Sequence, residues 1–350
     1  VGGVTSLGSH KGCPYGVECV IVWRRDPIEE RRMTTDMHGG SLGRTGLTRR
    51  AKTRIGVAKT YKLFINGQFP RTESGRSMAV NDRRGRTVAH LCHGSRKDLR
   101  DAVEAARGAE AKWSGMDAAL RGQILYRLAE MLEARADEFV DALEITRSPS
   151  RRASRSAKSF SARDEVIASV DRIVSFAGWT DKFQQVLGHR HPVAGPYHVF
   201  SVPGPCGVTA VVAPDEPPLL GLVSLCAPAL CVGATVVALA SERHPLVAAL
   251  LGEALATSDL PPGVINILTG FRAELLPHIA NHREIRALSA ANLNDEESTI
   301  LRRGSAENLK RVSVRDRETP AAWYDAPSEH GPDRLEPLID LKTIWHPSAC

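Results

Sequence analysis

The chain has 350 residues, 42% hydrophobic, 25% charged and 5% aromatic, a balance that fits a folded globular protein and neither a wholly disordered nor a membrane-spanning one. Its net charge of +6 is confined to one end: residues 1–60 hold 11 Lys/Arg against 5 Asp/Glu, and the rest of the chain is balanced at 35 of each. A nucleic-acid binder normally carries its positive field on the folded body, so the charge gives little support to such a partner.

Seven cysteines, at positions 13, 19, 92, 206, 226, 231 and 350, are an odd number without a CxxC pair, and the simplest reading is a reducing cytosol. No apolar run reaches 18 residues, and the N-terminus lacks the charged, apolar and small-residue regions of a secretory signal. A cytoplasmic location with no membrane span is therefore expected.

Residues 1–59 are rich in Gly, Arg, Ser and Thr, and their single apolar stretch around Val17–Trp23 is too short for a core. They read as a disordered basic leader, with translated sequence upstream of a start at Met33 as a second reading and nucleic-acid contact as a third. At Tyr61 the texture changes to YKLFINGQF, and Asn66-Gly67 predicts a hairpin near 61–80. Leu99, Ala102, Val103 and Ala106 repeat at helical spacing behind a capping box of Ser95 and Asp98. Leu120 through Phe139 mark one longer amphipathic helix. Residues 147–163 carry Pro149 and no apolar face, and read as a loop or frayed helix start. Val166 through Ala177 restore a helix.

From residue 207 apolar runs alternate with helical patterns. Strands are expected at 207–213, 234–240, 263–268, 285–288 and 310–314, with helices at 218–231, 245–257, 273–280 and before Asn308. The strand runs are nearly continuous in apolar residues, as strands covered on both faces require. Such alternation implies right-handed crossovers and a doubly wound parallel α/β sheet, whose ligands bind at the carboxyl ends of the strands. None of the turns there carries GxGxxG.

Several segments in sequence resemble the NAD(P)-dependent aldehyde dehydrogenase family. YKLFINGQF is similar to the family's opening, and AVEAARGAEAKW with ILYRLAEMLEARADE to its first two helices. EVIASVDRIVSFAGWTDK resembles the helix before its oligomerisation strands. VVAPDEPPLL, GATVVALASERHPL and LPPGVINILTG resemble its strand-turn-helix units, AENLKRV the approach to its catalytic elements, and LKTIW its C-terminal strand. The resemblance covers about 61–314 and 337–346. It implies a Rossmann-like cofactor domain over 60–316, an oligomerisation arm within it at about 189–206, and a linker with a C-terminal oligomerisation strand over 317–350. It further implies that the terminal strand joins such arms between subunits, and that the catalytic domain is missing.

The resemblance also shows departures at the positions that do the family's chemistry. Aldehyde oxidation of this type needs a thiolate, oxyanion donors, a carboxylate base and a nicotinamide. Where the family has P-W-N-F-P, with the Asn donating to the oxyanion, this chain has Pro214-Asp215-Glu216-Pro217-Pro218, and an ionised Glu216 cannot donate. K-P-S-E, which holds the adenosine ribose, becomes Leu239-Ala240-Ser241-Glu242, so the Glu is kept and the Lys lost. The G-S-T turn has no assignable counterpart in Ser289–Asn294. The base Glu of L-E-L-G-G falls on Arg315, which cannot accept a proton. Pro214, Ser241 and Glu242 are the remaining candidate cofactor contacts, and any NAD(P) site is expected to be weakened. Glu242 has a second reading, as a carboxylate satisfying the positive end of the following helix.

No cysteine sits in a motif like the family's nucleophile loop, and Cys226 and Cys231 read as buried structural thiols. His189, His191 and His198 lack the Cys or carboxylate pattern of a metal site, so no metal is expected. The RRxS run ending at Ser154 reads as a solvated linker rather than a kinase site. These features together suggest a catalytically degenerate family member acting as a structural or regulatory subunit. Its expected partner is a full-length aldehyde dehydrogenase, or a second copy in a homo-oligomer, through otherwise unpaired edge strands. The alternative is an oxidoreductase with an atypical site, using Glu216 as base and Cys206 as nucleophile.

Overall fold

The computed structural model describes residues 58–146, 160–316 and 318–348. The chain divides into two units, Val1–Ile55 and Gly56–Cys350, and every described element belongs to the second. The basic leader and most of the Arg/Ser-rich run lie outside the described residues.

Strands β1 (Lys59–Tyr61), β2 (Ser77–Asn81) and β3 (Thr87–Cys92) form a small sheet in the order β1-β3-β2. The Asn66-Gly67 turn is present, with φ of 52° and 70° and reciprocal Ile65–Gln68 backbone bonds of 3.0 Å. The long hairpin expected there is not. The pairing stops after Leu63, whose amide donates to the Pro70 carbonyl at 3.2 Å, while Phe64 exchanges hydrogen bonds of 3.1 and 2.7 Å with Ile267 of the main sheet. Successive residues of an extended segment direct their backbone groups to opposite edges, so one edge closes the short turn and the other joins the main sheet.

Helix α1 (Arg96–Ser114) carries the expected capping box of Ser95 and Asp98. The single helix expected over 120–139 is two, α2 (Ala118–Ala134) and α3 (Ala136–Thr146). They break at Arg135, whose guanidinium reaches sideways to Glu253 at 2.6 Å while Asp137 and Glu138 favour a new helix start. Helix α4 (Ala162–Trp179) begins on a Ser161–Asp164 capping box, and α5 (Phe183–Leu187) is a single short turn.

Next come β4 (His189–His191) and β5 (Tyr197–Pro205), then the alternating units: β6 (Val208–Val212), α6 (Pro218–Val232), β7 (Val236–Leu239), α7 (Leu246–Leu255), β8 (Ile265–Leu268), α8 (Arg272–Asn281), β9 (Ile285–Ala291), α9 (Asp295–Ala306) and β10 (Arg311–Arg315). Their strands form one parallel five-stranded sheet in the order β10-β9-β6-β7-β8. This is the doubly wound fold the alternation implies, with its topological switch point between β6 and β9.

Side-chain alternation divides the core in two. Val211, Ala213, Val236 and Ala238 pack with α2, α4, α6 and α7 on one face, while Ala210, Val212, Val237 and Leu239 pack with α1 and α8 on the other. Every residue of α6 is buried. Gly221 on this helix admits the ring of Pro214, which a Cβ would overlap, and Gly233, at φ 94°, ends the helix in the left-handed conformation.

After β10 the chain does not run as a linker. Residues 318–338 fold into short turns and α10 (Ala326–Glu329), and bury Trp323, Glu329, Leu335 and Leu338. Strand β11 (Ile339–Pro347) then pairs antiparallel with β5 over nine residues, from Ile339–Pro205 to Pro347–Tyr197. The expected C-terminal strand is present, and within its own chain it completes the arm, in the order β11-β5-β4. Among the described residues no helix is long and apolar enough to cross a membrane.

Glu165 of α4 is fully buried and accepts the amides of Leu219 and Leu220 at 2.7 and 3.2 Å, capping α6 from another helix. Glu165→Ala should orphan both amides and lower unfolding free energy by about 1–3 kcal/mol, read as a shift of the urea midpoint with unchanged slope.

Candidate functional site

In a doubly wound sheet the ligand position is the rim where the strands end. Here three of those ends are tied to one another. The turn after β6 presents Asp215, whose Oδ1 accepts Ser241 Oγ at 2.8 Å and the backbone amides of Glu242 and Arg243 at 3.1 and 3.3 Å, all in the turn after β7. From the start of α8, buried Arg272 donates Nη2 to the Ala213 carbonyl at 2.7 Å and to Asp215 at 3.3 Å. Its backbone amide donates to Glu242 Oε1. The carboxylate expected either to hold a ribose or to satisfy a helix end therefore sits on the first amide of α8. This favours the second of its two roles, though on α8 and not on the helix that follows it in sequence.

The two helix starts nearest the switch point are equally engaged. A helix N-terminus attracts anions because its first amides are unpaired and the macrodipole is positive there. At α6 positions 217 and 218 are prolines without amides, and the next two amides are held by Glu165. At α9 Asn294 and Glu297 cap each other at 2.8 and 2.9 Å, and Asp295, Glu296 and Glu297 crowd the first turn. Three carboxylates there repel a phosphate. The strand before α9 is also longer than expected: Ser289, Ala290 and Ala291 belong to β9, and the turn is Asn292–Asn294.

The expected site residues are thus divided. Pro214 is buried, Ser241 and Glu242 join the rim network, and Glu216, after which the peptide to Pro217 is cis, is exposed. Arg315 ends β10 and points into a separate cluster. It donates to both oxygens of Glu329, at 3.1 Å from Nη1 and also from Nη2, while its guanidinium lies 3.8 Å over the Trp323 ring. Arg172 of α4 adds a bond of 3.0 Å to Glu329, another to Ser224 and one of 2.8 Å to the Trp323 carbonyl. Arg334 closes the cluster on Glu329 at 2.5 Å. Burial pushes the Arg172 guanidinium down to about 10, against the upward pull of Glu329. A hollow of about 40 Å³ beside this cluster, lined by Ser224, Ser289, Ser313, Arg315 and Arg334 among others, has room for water and not for a dinucleotide.

The buried cysteines of β5–α6 are poor nucleophiles. Cys206, Cys226 and Cys231 are buried, and burial raises the thiol of Cys206 to about 11, that of Cys231 to about 12 and that of Cys226 further still. Among the described residues no three His, Cys, Asp or Glu side chains gather in a way that could hold a metal ion.

Sequence reasoning missed Asp215, Arg272, Glu165, Arg172 and Glu329 as network members. Arg172 and Glu329 are 157 positions apart, and neither lies in a local pattern that announces the pair. The one available signal was a charge in an apolar helical stripe, as for Glu165 beside Val166 and Arg172 beside Ile173.

A doubly wound sheet with cofactor-type strand-end turns and an appended three-stranded arm defines a dehydrogenase-like dinucleotide fold. Residues 70–315 match the model of the aldehyde dehydrogenase family, and the chain belongs to that family. It is 33% identical over 285 residues to aldehyde dehydrogenase family 2 member B4, mitochondrial, of Arabidopsis thaliana, covering 79% of this chain and 51% of that protein. Retinal dehydrogenase 2 of Gallus gallus is 33% identical over 262 residues, 73% of this chain and 48% of its own length. Among solved structures, the NAD+ complex of an aldehyde dehydrogenase from Bacillus cereus superposes with a TM-score of 0.66 at 27% identity, over 73% of this chain and 50% of that one. The chain thus spans about half the length of the relatives it matches.

Removing the anion at the centre of the arginine cluster tests whether it is structural. Glu329→Gln should leave three guanidinium groups facing a neutral amide and cost about 3–5 kcal/mol in chemical unfolding. In the native protein at pH 8, iodoacetamide should label Cys206, Cys226 and Cys231 only after denaturant is added, as read by peptide mass spectrometry.

Proposed function

We propose that this member of the aldehyde dehydrogenase family does not itself oxidise aldehydes, and serves as a structural or regulatory subunit that assembles with a full-length family member in the cytosol. The observation that carries the reading is Arg315: the position that the resemblance gives to the general base holds a guanidinium locked to buried Glu329. The oxyanion-donor position is Glu216, an acceptor exposed to water.

The same reading covers the cofactor. The chain's residues do not fit a dinucleotide, because Glu242 is bonded to the Arg272 amide, the lysine position is Leu239, and the amides or first turns of α6 and α9 are taken by carboxylates. The alternative enzyme, with Glu216 as base and Cys206 as nucleophile, has an exposed carboxylate and a buried thiol whose ionisation burial opposes. What supports assembly is the complete β4-β5-β11 arm, which ends in an exposed edge strand.

Titration of the purified chain with NAD+ and NADP+ by calorimetry is expected to give no saturable heat, and incubation with a simple aldehyde no reduced cofactor. Turnover that disappears in Cys206→Ser would overturn the non-catalytic reading. Co-expression with a full-length aldehyde dehydrogenase from the same source is expected to give one heteromeric peak on size exclusion; two separate peaks count against the partner assigned to it.

A further inference from the structure

Under α6 the outer half of the parallel sheet is short of side-chain volume. Register partners on neighbouring strands share a face, so Val211, Ser289 and Ser313 form one row across β6, β9 and β10. Val211 packs into the core, but the next two members of the row are serines. Where their short side chains lie, the hollow of about 40 Å³ opens, with Ser224 of α6 on one side and Arg315, two residues beyond Ser313 on the same face, on another. Arg334, its side chain 30% exposed, and exposed Asp333 stand between it and solvent.

The polar groups of this hollow are donors in search of an acceptor. Ser224 Oγ accepts from Arg172 Nη1, which leaves its own proton to give. The Ser289 hydroxyl, on a residue 7% exposed, and the Ser313 hydroxyl have no hydrogen-bond partner among the described residues. Arg315 is 9% exposed, and its Nε makes no hydrogen bond, with Glu318 no nearer than 3.5 Å. Charge points the same way. Arg172, Arg315 and Arg334 converge on one buried carboxylate, Glu329, which does not line the hollow, so three positive charges meet one negative. Glu318 and Asp333 offset this excess from positions nearer water, where solvent screens them.

Size and charge together define what fits. A cation is repelled by the guanidinium groups, and a nucleotide or phosphate ester is larger than the space. Asp333 at the mouth opposes a second negative charge on the ligand. We propose that the hollow binds one small monovalent inorganic anion, chloride in ordinary solution, between the hydroxyls of Ser224, Ser289 and Ser313 and the Arg315 guanidinium. The ion joins α6 to β9 and β10 at a second point beside Glu329, and stabilises the native chain by mass action. The inference stands apart from the reading of the chain as a non-catalytic subunit.

The midpoint of thermal unfolding of the full chain, with sodium chloride replacing sodium gluconate at constant ionic strength, should rise saturably with chloride. Ser289→Val combined with Ser313→Val, whose methyl groups fill the hollow, should abolish that rise. Ser289→Ala removes one donor and leaves the space, and should raise the half-saturating chloride concentration about tenfold. In crystals soaked in sodium bromide, an anomalous peak is expected within hydrogen-bonding reach of the Ser289 and Ser313 oxygens. A native chain indifferent to chloride overturns the proposal, as does an undiminished chloride response in the double valine variant or bromide found only at surface lysines and arginines. If the double valine variant does not fold, the bromide position and the Ser289→Ala response decide.

Discussion

A carboxylate with almost no access to water is tolerable only when cations and donors replace its hydration, and Glu329 has three guanidinium groups doing so. Through it, Arg172 of α4, Arg315 of β10 and Arg334 of the C-terminal segment are fastened at one point. Arg172 also holds Ser224 of α6 and the Trp323 carbonyl, so the helix layer, the sheet edge and the chain beyond the sheet share one electrostatic centre. A pair of this kind gives little net stability compared with apolar packing, but losing one member is costly, which makes the arrangement selective for a single register. The path of residues 318–338, and with it the starting point of β11, depends on that centre.

The rim of the parallel sheet obeys the same rule. A strand-end rim with free amides and a free carboxylate is a ligand site; with those groups bonded internally it is a joint between turns. Asp215, Ser241, Glu242 and Arg272 bond to each other, and Glu165 and the Asn294–Glu297 box occupy the helix starts. The architecture typical of the family is retained here, while the groups facing the rim engage one another.

The arm brings out the difference between pairing and completion. Nine register pairs between β11 and β5 satisfy one edge of each strand, yet the side chains of Leu341 and Trp345 are left over a face that β5 buries only on its own side. Backbone hydrogen bonding is local to neighbouring strands, whereas apolar cover needs a layer above or a strand beside. That mismatch leaves an apolar strip of the arm facing solvent.

The sequence by itself determined whatever depends on spacing along the chain. The alternating apolar runs after residue 207 required a parallel sheet, Ser95 with Asp98 required a helix start, Asn66-Gly67 required a tight turn, and order-preserving segments required the family. The resemblance it carries also set Glu216 and Arg315, as an expectation, against the family's oxyanion-donor and base positions. Tertiary structure alone decided what those residues do instead: that Arg315 meets Glu329, that Glu242 meets the Arg272 amide 30 residues on, that Phe64 joins Ile267, and that β11 pairs within its own chain. Charge pairing and strand pairing have no period, so nothing in the local pattern specifies which distant partner will satisfy a buried group once folding has removed it from water.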